Sequence, residues 1–156
     1  MRFILIAAVA ALAACASPSQ PTTPPSTGGG TPVAVQPSGS FMSLLNAARA
    51  ENGRGPVRED SRLSASAQGH AQDMQTQDFF GHTGSNGSSF SDRARAAGYT
   101  CARAENIASG QRTPAQVMEA WMTSSGHRRN ILLSDVTEFG IGRTANNWVL
   151  VLGRGC

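Results

Sequence analysis

The stretch Ala104–Leu133, AENIASGQRTPAQVMEAWMTSSGHRRNILL, decides the fold of this chain because it encodes a helix together with its start signals. Thr113 is a favourable N-cap residue, and Pro114 suits the first helical position, where an N–H group would have no partner. Gln116 completes a Thr-x-x-Gln capping box. The sequence therefore predicts a helix that begins at Thr113-Pro114.

The same helix has an apolar face and ends near a glycine. Val117 and Trp121 recur at helical spacing, and Gly126 is placed to adopt the left-handed conformation just past the last turn. Glu105 precedes this helix and His127 follows it. Residues at the two flanks of one short helix can reach a common cleft, so the spacing predicts that Glu105 and His127 converge.

Composition indicates the broad class of the protein. The chain has 156 residues, of which 40% are hydrophobic and 15% are charged, and this suits one globular domain with an appended segment. All 13 basic residues are arginines, and Arg128-Arg129 is their only adjacent pair. A basic patch for nucleic acid or anionic lipid is therefore poorly supported, and we expect no nucleic-acid partner.

The first residues are typical of an export signal. Met1–Ala14 has one positive residue before an apolar run that is too short to span a bilayer. Leu-Ala-Ala-Cys, ending at Cys15, resembles a bacterial lipobox, which implies cleavage before Cys15, its acylation and a membrane anchor. Ala16 resembles an outer-membrane address, so the predicted location is the cell envelope, at the outer membrane or the periplasmic face. An ordinary signal peptide is the alternative, and the protein would then be secreted.

Residues 15–40 form a low-complexity segment between this signal and the domain. Six of the eight prolines of the chain lie here, and the segment has no Asp, Glu, Arg or aromatic residue. Such a composition cannot bury enough apolar surface to fold. The sequence therefore predicts a disordered Pro/Ser/Thr/Gly tether that follows the acylated cysteine.

The folded domain is predicted over residues 41–156, a length that can hold one hydrophobic core. Apolar residues at helical spacing predict a helix from Phe41 to Asn52-Gly53 and a second helix capped by Ser61. A third short helix is predicted to be capped by Ser88 or Ser89. Helices thus occupy the first half of the domain.

Two apolar runs close the chain. Val136–Thr144 and Trp148–Gly153 are joined by a short polar segment and predict an antiparallel β-hairpin. Tyr99–Ser109 is predicted to be extended, and Arg54–Asp60 to be a loop. Helices first and a hairpin last predict an α+β layer fold with a small antiparallel sheet.

Two cysteines remain in the domain once Cys15 is assigned to the lipid anchor. Cys101 and Cys156 are an even pair in an exported domain, where the oxidising environment favours disulfides. The sequence therefore predicts a Cys101–Cys156 disulfide, which would join the last residue to the strand that leads into Glu105.

Three histidines are the main candidates for site chemistry. His82 and His127 each follow a glycine and are predicted in loops, whereas His70 lies within a helix. With Glu105, the two loop histidines supply the nitrogen, nitrogen and oxygen donors that Zn²⁺ accepts, with a fourth position left open. A loop histidine is more commonly a hydrogen-bonded surface residue, and the chain has no His-Glu-x-x-His motif, so spacing alone leaves both interpretations open.

Three motifs in order and the hairpin that follows them give the chain a specific resemblance to a known family. They are Phe80-Gly81-His82-Thr83, Ala104–Ala108 (AENIA), Trp121–Leu132 (WMTSSGHRRNIL) and the hairpin from Phe139 to Trp148. Over residues 41–156 the chain thereby resembles the CAP superfamily (cysteine-rich secretory proteins, antigen 5 and pathogenesis-related proteins; SCP domain) in its short bacterial form. The fold that this resemblance implies is a three-layer α-β-α sandwich.

The resemblance also implies a cleft that carries two histidines and two glutamates. By matching motifs, His82 takes the first histidine, Glu105 the first glutamate and His127 the second histidine. The second glutamate falls at Ser124, so this chain lacks one carboxylate of the set. In related proteins the histidines can hold a divalent metal, often zinc, which implies a metal site at His82 and His127. Glu105 would be a ligand or the group that orients one, or would simply stabilise the cleft by accepting backbone hydrogen bonds.

Three functions from different classes fit these residues. The first is a non-catalytic, lipid-anchored binding module whose cleft, with or without Zn²⁺ or another divalent metal, binds a lipid, a glycan or a protein. The second is an envelope hydrolase, either metal-assisted or with a triad of Ser124, His127 and Glu105, although no nucleophile-elbow pattern surrounds Ser124. The third is a structural or adhesive protein with a vestigial cleft. The sequence favours the first over an enzyme, without naming the ligand.

Overall fold

The described part of the chain consists of short helices and strands. The structure, a computed structural model, describes the backbone of residues 37–156 and the side chains of residues 41–156. The predicted signal peptide, Met1–Ala14, and the predicted acylation site, Cys15, lie outside these residues. The elements in chain order are α1 (Pro37–Glu51), β1 (Arg58–Glu59), α2 (Ser61–Thr76), α3 (Phe90–Ala96), β2 (Ala102–Ser109), α4 (Pro114–Thr123), α5 (Ser125–Ile131), β3 (Glu138–Arg143) and β4 (Asn147–Gly153).

The strands form one mixed sheet with the order β1-β3-β4-β2. β3 and β4 pair antiparallel, which confirms the predicted hairpin, and β2 pairs antiparallel with the other side of β4. The two-residue β1 lies in the segment predicted as a loop and pairs parallel with β3. A strand of that length is too short to carry an alternating pattern, so the sequence could not reveal it.

Hydrophobic side chains pack on both faces of this sheet. β4 is buried along its whole length, and its residues alternate between two clusters. Trp148, Leu150 and Leu152 pack with α1, α4 and α5, whereas Val149 and Val151 pack with α2 and α3. Because successive side chains of a strand point to opposite faces, one strand supplies both cores. The predicted α+β class and α-β-α sandwich are confirmed.

The helix caps correct one prediction and confirm another. The N-cap of α2 is Asp60 and not Ser61, because the Asp60 carboxylate accepts hydrogen bonds from two N–H groups of the first turn. α3 follows Ser89, one of the two predicted candidates, whose hydroxyl accepts a backbone N–H in a capping box. α1 starts at Pro37, ahead of the predicted domain start at Phe41.

The helix predicted after Thr113 is in fact two helices. Thr113 caps α4 as expected, accepting from the Gln116 N–H at 3.2 Å. Ser124 then adopts extended backbone (φ −89°, ψ 121°), and the chain continues as α5. Gly126 is therefore a helical residue and does not terminate the helix. His127 consequently lies within α5, which corrects its predicted position in a loop.

Arg49 ties α1 to the loop that follows it, to the end of α5 and to the segment after α5. Its side chain is buried (1% exposed) and donates only to main-chain oxygens. The acceptors are the carbonyls of Gly55, Ile131, Leu133 and Val136, at 2.5–3.3 Å. Burial first, and then the charge of Arg54, lower the pKa of Arg49. Among residues 41–156 no carboxylate pairs with this guanidinium, so its positive charge is left without a counter-charge.

Cys101 and Cys156 are free thiols in this structure, so the predicted disulfide is not formed here. The Thr100 hydroxyl contacts both sulfurs, at 3.8 Å and 3.5 Å respectively. A hydrogen bond between the two thiols raises the pKa of Cys101 and lowers that of Cys156. The sulfurs are therefore neighbours, and their disulfide stays a prediction.

Two glycines let α2 lie directly on β3. A Cβ atom on Gly140 would lie 2.1 Å from the main-chain carbonyl carbon of Leu63, and one on Gly142 would lie 2.3 Å from that of Ala67. Any side chain at either position would push the helix away from the sheet. The Gly-x-Gly spacing thus sets the distance between one helical layer and the sheet.

We expect Gly140→Ala to lower the free energy of unfolding by about 3 kcal/mol, because the added methyl group would overlap main-chain atoms that cannot rotate away. Urea denaturation followed by circular dichroism measures this change. Gly69→Ala is the matched control: Gly69 is an exposed residue of α2, and its added Cβ would have no atom within 4 Å. That control should raise stability by up to about 1 kcal/mol through helix propensity. Equal effects of the two substitutions would contradict the close contact.

Candidate functional site

The candidate site lies along β2, the strand at one end of the sheet order. Along β2, Glu105 contacts side chains of the α2–α3 layer, whereas Asn106 contacts the backbone of α5 in the other layer. This follows from the alternation of side chains along a strand. An edge strand has no further strand beside it, so residues from the two helical layers can meet there. The sheet edge, and not a single loop cluster, therefore contacts the segments that carry His82 and His127.

The carboxylate of Glu105 is the centre of this site. Its side chain is only 1% exposed, and each oxygen accepts one hydrogen bond from a basic side chain. Oε1 lies 2.8 Å from Nδ1 of His82, and Oε2 lies 2.7 Å from Nη2 of Arg93. A buried carboxylate is stable only when it is paired and hydrogen-bonded in this way. Glu105 and His82, two predicted site residues, are therefore in direct contact.

Arg93 holds the segment that carries His82. Its guanidinium donates to the carbonyl of His82 at 3.0 Å and to that of Ser88 at 2.8 Å, in addition to Glu105. Sequence reasoning missed Arg93. The only signal was its place in a short helix next to Ala94, a residue predicted to face inward. One side chain from α3 thus fixes both the backbone and the partner of the first histidine.

His70 supports the same segment from within α2. It is fully buried, and its Nε2 lies 2.8 Å from the carbonyl oxygen of Gly81, the residue before His82. Burial first, and then the charge of Arg93, lower the pKa of His70. The neutral ring must carry its proton on Nε2 to donate to that carbonyl, and its buried Nδ1 has no partner among the described residues. The sequence placed His70 in a helix but gave it no role.

Two asparagines hold α5 against β2. Asn106 donates to the carbonyl of His127 at 3.0 Å, and Asn130 donates to the side-chain oxygen of Asn106 at 2.9 Å. Asn130 also contacts the main-chain oxygen of Glu105 at 3.3 Å. The motifs around Glu105 and His127 therefore form a physical joint between the edge strand and the short helix.

His127 lies on α5, in the opposite helical layer from His82. It is half-buried, and its pKa is lowered by burial and then by the charge of His82. The charge of His82 thus acts on His127 although the two residues come from different helical layers. A lowered pKa keeps His127 neutral, with a ring nitrogen lone pair available, at neutral pH.

The donor set suits two-histidine binding of a metal better than three-ligand binding. Since Nδ1 of His82 contacts Glu105, its Nε2 is the nitrogen left for a metal. Both oxygens of Glu105 are engaged by cationic or imidazole donors, so this carboxylate orients His82 and is not placed as a third ligand. Across residues 41–156, no three His, Cys, Asp or Glu side chains are grouped to share one ion.

The Ser124–His127–Glu105 triad is not assembled in this structure. Ser124 is half-buried at the junction of α4 and α5, where its side chain makes no capping hydrogen bond. Within residues 41–156 no hydrogen bond joins Ser124 to His127, and the imidazole that contacts Glu105 is that of His82. The sequence expected a carboxylate near both histidines, and the structure places it against the first.

A cavity of about 340 Å³ opens beside this carboxylate. It is lined by His82, Phe90, Arg103, Ala104, Glu105 and Asn130. The lining combines an aromatic ring, a guanidinium and the histidine–glutamate pair. Such a mixed lining suits a small ligand that has both an apolar and a polar part.

No helix among residues 37–156 is long and apolar enough to cross a membrane.

The buried His70 makes a prediction about pH and stability. Because its folded-state pKa lies below the ordinary value of 6.5, the unfolded chain binds a proton first as the pH falls. The contribution of neutral His70 to the free energy of unfolding is therefore fully present above about pH 6.5. It is lost as the pH falls through the folded-state pKa of His70. Arg93 opposes protonation of His70, whereas the charges of Glu105 and Asp73 favour it.

We expect the free energy of unfolding of His70→Gln to fall less than that of the wild type when the pH is lowered from about 7.5 to about 5. The reason is that glutamine has no proton to gain. The amide of glutamine can still donate to the Gly81 carbonyl, so the fold is kept. Urea denaturation at both pH values gives the difference. Identical pH slopes in the two proteins would show that His70 is not held neutral by the fold.

Comparison with known proteins supplies a family match. A sequence model of the cysteine-rich secretory protein family, CAP, matches residues 42–150. The uncharacterized protein YkwD of Bacillus subtilis is 41% identical over 102 residues, which are 65% of this chain and 40% of that protein. The uncharacterized membrane protein YlbC of Bacillus subtilis is 31% identical over 103 residues, 65% of this chain and 30% of that protein. The chain thus spans less than half the length of these two curated relatives.

Solved structures agree with this fold. An extracellular protein with an SCP domain from Bacillus anthracis superposes with a TM-score of 0.71 at 25% identity, over 74% of this chain and 39% of that chain. An outer surface protein from Borrelia burgdorferi gives a TM-score of 0.70 at 19% identity, over 77% of this chain and 93% of that chain. The second likeness is evidence for the fold alone.

Proposed function

The chain belongs to the CAP family of cysteine-rich secretory proteins, and from this we propose that it is an exported, non-catalytic binding module of the bacterial cell envelope. The lipobox ending at Cys15 supports a lipid anchor, which would leave the domain attached to a membrane through its N-terminal tether. The similarity to an extracellular SCP-domain protein from Bacillus anthracis supports a location outside the cytoplasm.

We place a divalent metal, with zinc as the first candidate, at His82 and His127. The observation that carries this proposal is the 2.8 Å contact between His82 Nδ1 and Glu105 Oε1. A ligating histidine usually donates its other ring N–H to a carboxylate, which fixes the tautomer and increases the basicity of the ligating nitrogen. The contact therefore prepares Nε2 of His82 as a ligand. A bound metal would supply a fixed positive charge at these histidines.

The remaining positions around such a metal would be open to a ligand. Two histidines provide only half of the four donors that Zn²⁺ ordinarily takes. The cavity beside Glu105 has His82, Phe90 and Arg103 in its lining. A small lipid or glycan with an oxygen donor, or a side chain of a partner protein, is the class of ligand that this lining fits.

We expect Zn²⁺ to bind the full chain with one dominant site, measured by isothermal titration calorimetry. His82→Ala/His127→Ala should abolish that site because it removes both nitrogen donors. Glu105→Gln should weaken binding by about 10- to 100-fold, the usual effect of losing the group that orients a ligating histidine.

Glu119→Gln is the matched control for the Glu105 substitution. Glu119 is an exposed glutamate of α4 that does not line the cavity beside Glu105, and its loss changes the net charge by the same amount. It should leave the zinc affinity unchanged. Equal zinc affinities of the wild type and the double histidine variant would refute the site and favour a structural protein with a vestigial cleft.

The second candidate function is hydrolysis, and one observation favours it. The His82–Glu105 pair has the geometry of a base held by an orienting carboxylate. A metal held by these residues would supply Lewis-acid chemistry, and Glu105 would serve as the proton acceptor.

We expect no turnover when the full chain is incubated with peptide and ester libraries, with and without a chelator, followed by mass spectrometry. Both oxygens of Glu105 already accept hydrogen bonds, from His82 and Arg93, so neither is free to take a proton from a substrate or a water molecule. Turnover that is removed by chelator and by Glu105→Gln would establish the hydrolase instead. Turnover that survives Glu105→Gln would point to a contaminant or to a different site.

A further inference from the structure

A second groove lies beside α5, and its lining is basic. It has a volume of about 530 Å³. The lining residues are Arg54, Ser125, Arg128, Arg129, Leu132, Leu133 and Ser134. The sequence presents its arginines as scattered, with a single adjacent pair. The fold adds Arg54 to that pair by bringing the end of α1 next to α5.

α5 separates this groove from the cavity beside Glu105. At 100° per residue, Ser125, Arg128, Arg129 and Leu132 fall on one side of the helix, whereas His127, Asn130 and Ile131 fall on the other. The second set faces β2 and the core, as the contacts of Asn130 and the burial of Ile131 require. The groove is therefore a separate surface and not an extension of that cavity.

The positive charge of the groove is not neutralised. Its lining contains no Asp or Glu, and none of its three arginines forms an ion pair with a carboxylate of residues 41–156. Arg128 is fixed by a 2.5 Å hydrogen bond from its guanidinium to the side-chain oxygen of Asn52, an acceptor that carries no charge. Beneath the groove, the buried Arg49 also lacks a counter-charge.

The groove also offers apolar surface next to these charges. Leu132 and Leu133 are half-buried, pack against the hydrophobic core and line the groove beside the arginines. Arginine side chains bind phosphate oxygens through parallel N–H donors, and the two serines of the lining add neutral donors. A free inorganic anion would use the arginines but would leave the leucines uncovered.

We propose that this groove binds the phosphodiester headgroup of an anionic phospholipid, with the arginines on the phosphate and Leu132 and Leu133 against the first part of the acyl region. This site would hold the domain against an anionic membrane surface independently of the proposed metal site at His82 and His127. Affinity should fall with increasing salt, because the charge of the groove is exposed.

The test is calorimetric titration of the full chain with dihexanoyl phosphatidylglycerol below its critical micelle concentration. Arg54→Gln/Arg129→Gln should weaken binding by about tenfold or more, since two charge-assisted contacts are lost. Neither side chain makes a hydrogen bond in the described residues, so this variant should fold normally, as checked by circular dichroism. Dihexanoyl phosphatidylcholine, whose headgroup is neutral overall, should bind at least about tenfold more weakly than the anionic lipid.

The control removes two exposed arginines from elsewhere on the surface. Arg112→Gln/Arg154→Gln changes the net charge equally and should keep the wild-type affinity. Equal losses in the two double variants would mean that only the net charge matters, and would overturn the site. Inorganic phosphate binding as tightly as the lipid would overturn the assignment to a phospholipid, as would no measurable binding of phosphatidylglycerol.

Discussion

The carboxylate of Glu105 is the constraint on which the site depends. It sits on an edge strand, almost sealed from water, with one oxygen against His82 and the other against Arg93. Removing either partner would leave a buried charge poorly compensated, and this is strongly unfavourable. One carboxylate thus joins β2, α3 and the segment from Gly81 to Ser88. The orientation of His82 follows from its hydrogen bond to that buried charge.

Much of the fold could be predicted because its signals are local. The Thr113-Pro114 start of α4 and the alternating runs of the hairpin each depend on residues a few positions apart. The break at Ser124 could not be predicted in this way, because Gly126 fits both a helix end and a helix interior. Tertiary contacts decide whether Gly126 ends a helix or lies within one. The hydrogen bonds of Asn106 and Asn130 hold the short helix α5 against β2.

The residues of the site also differ in whether the sequence alone could reveal them. His82, Glu105 and His127 were accessible from motif resemblance, since residue types and their order are visible in the sequence. Arg93 and His70 were not, because their contacts to the His82 segment span 11 residues each and follow no period. An arginine next to a buried alanine is usually a solvated surface residue, and only the packing of α3 on β2 turns it inward.

The contact of α2 with Gly140 and Gly142 has a mechanical consequence. Main chain rests on main chain there, with no side chain to rotate and no gap for water, so this half of the molecule has little freedom to open. α5 is instead a single short helix, held by Ile131 in the core, by Arg49 and by two asparagine contacts. Amide protons of α2, β3 and β4 should exchange with solvent slowly, and those of α5 should exchange faster, through local openings that leave the rest of the sandwich closed. The scaffold is thus rigid on the side of His70 and yielding on the side of His127.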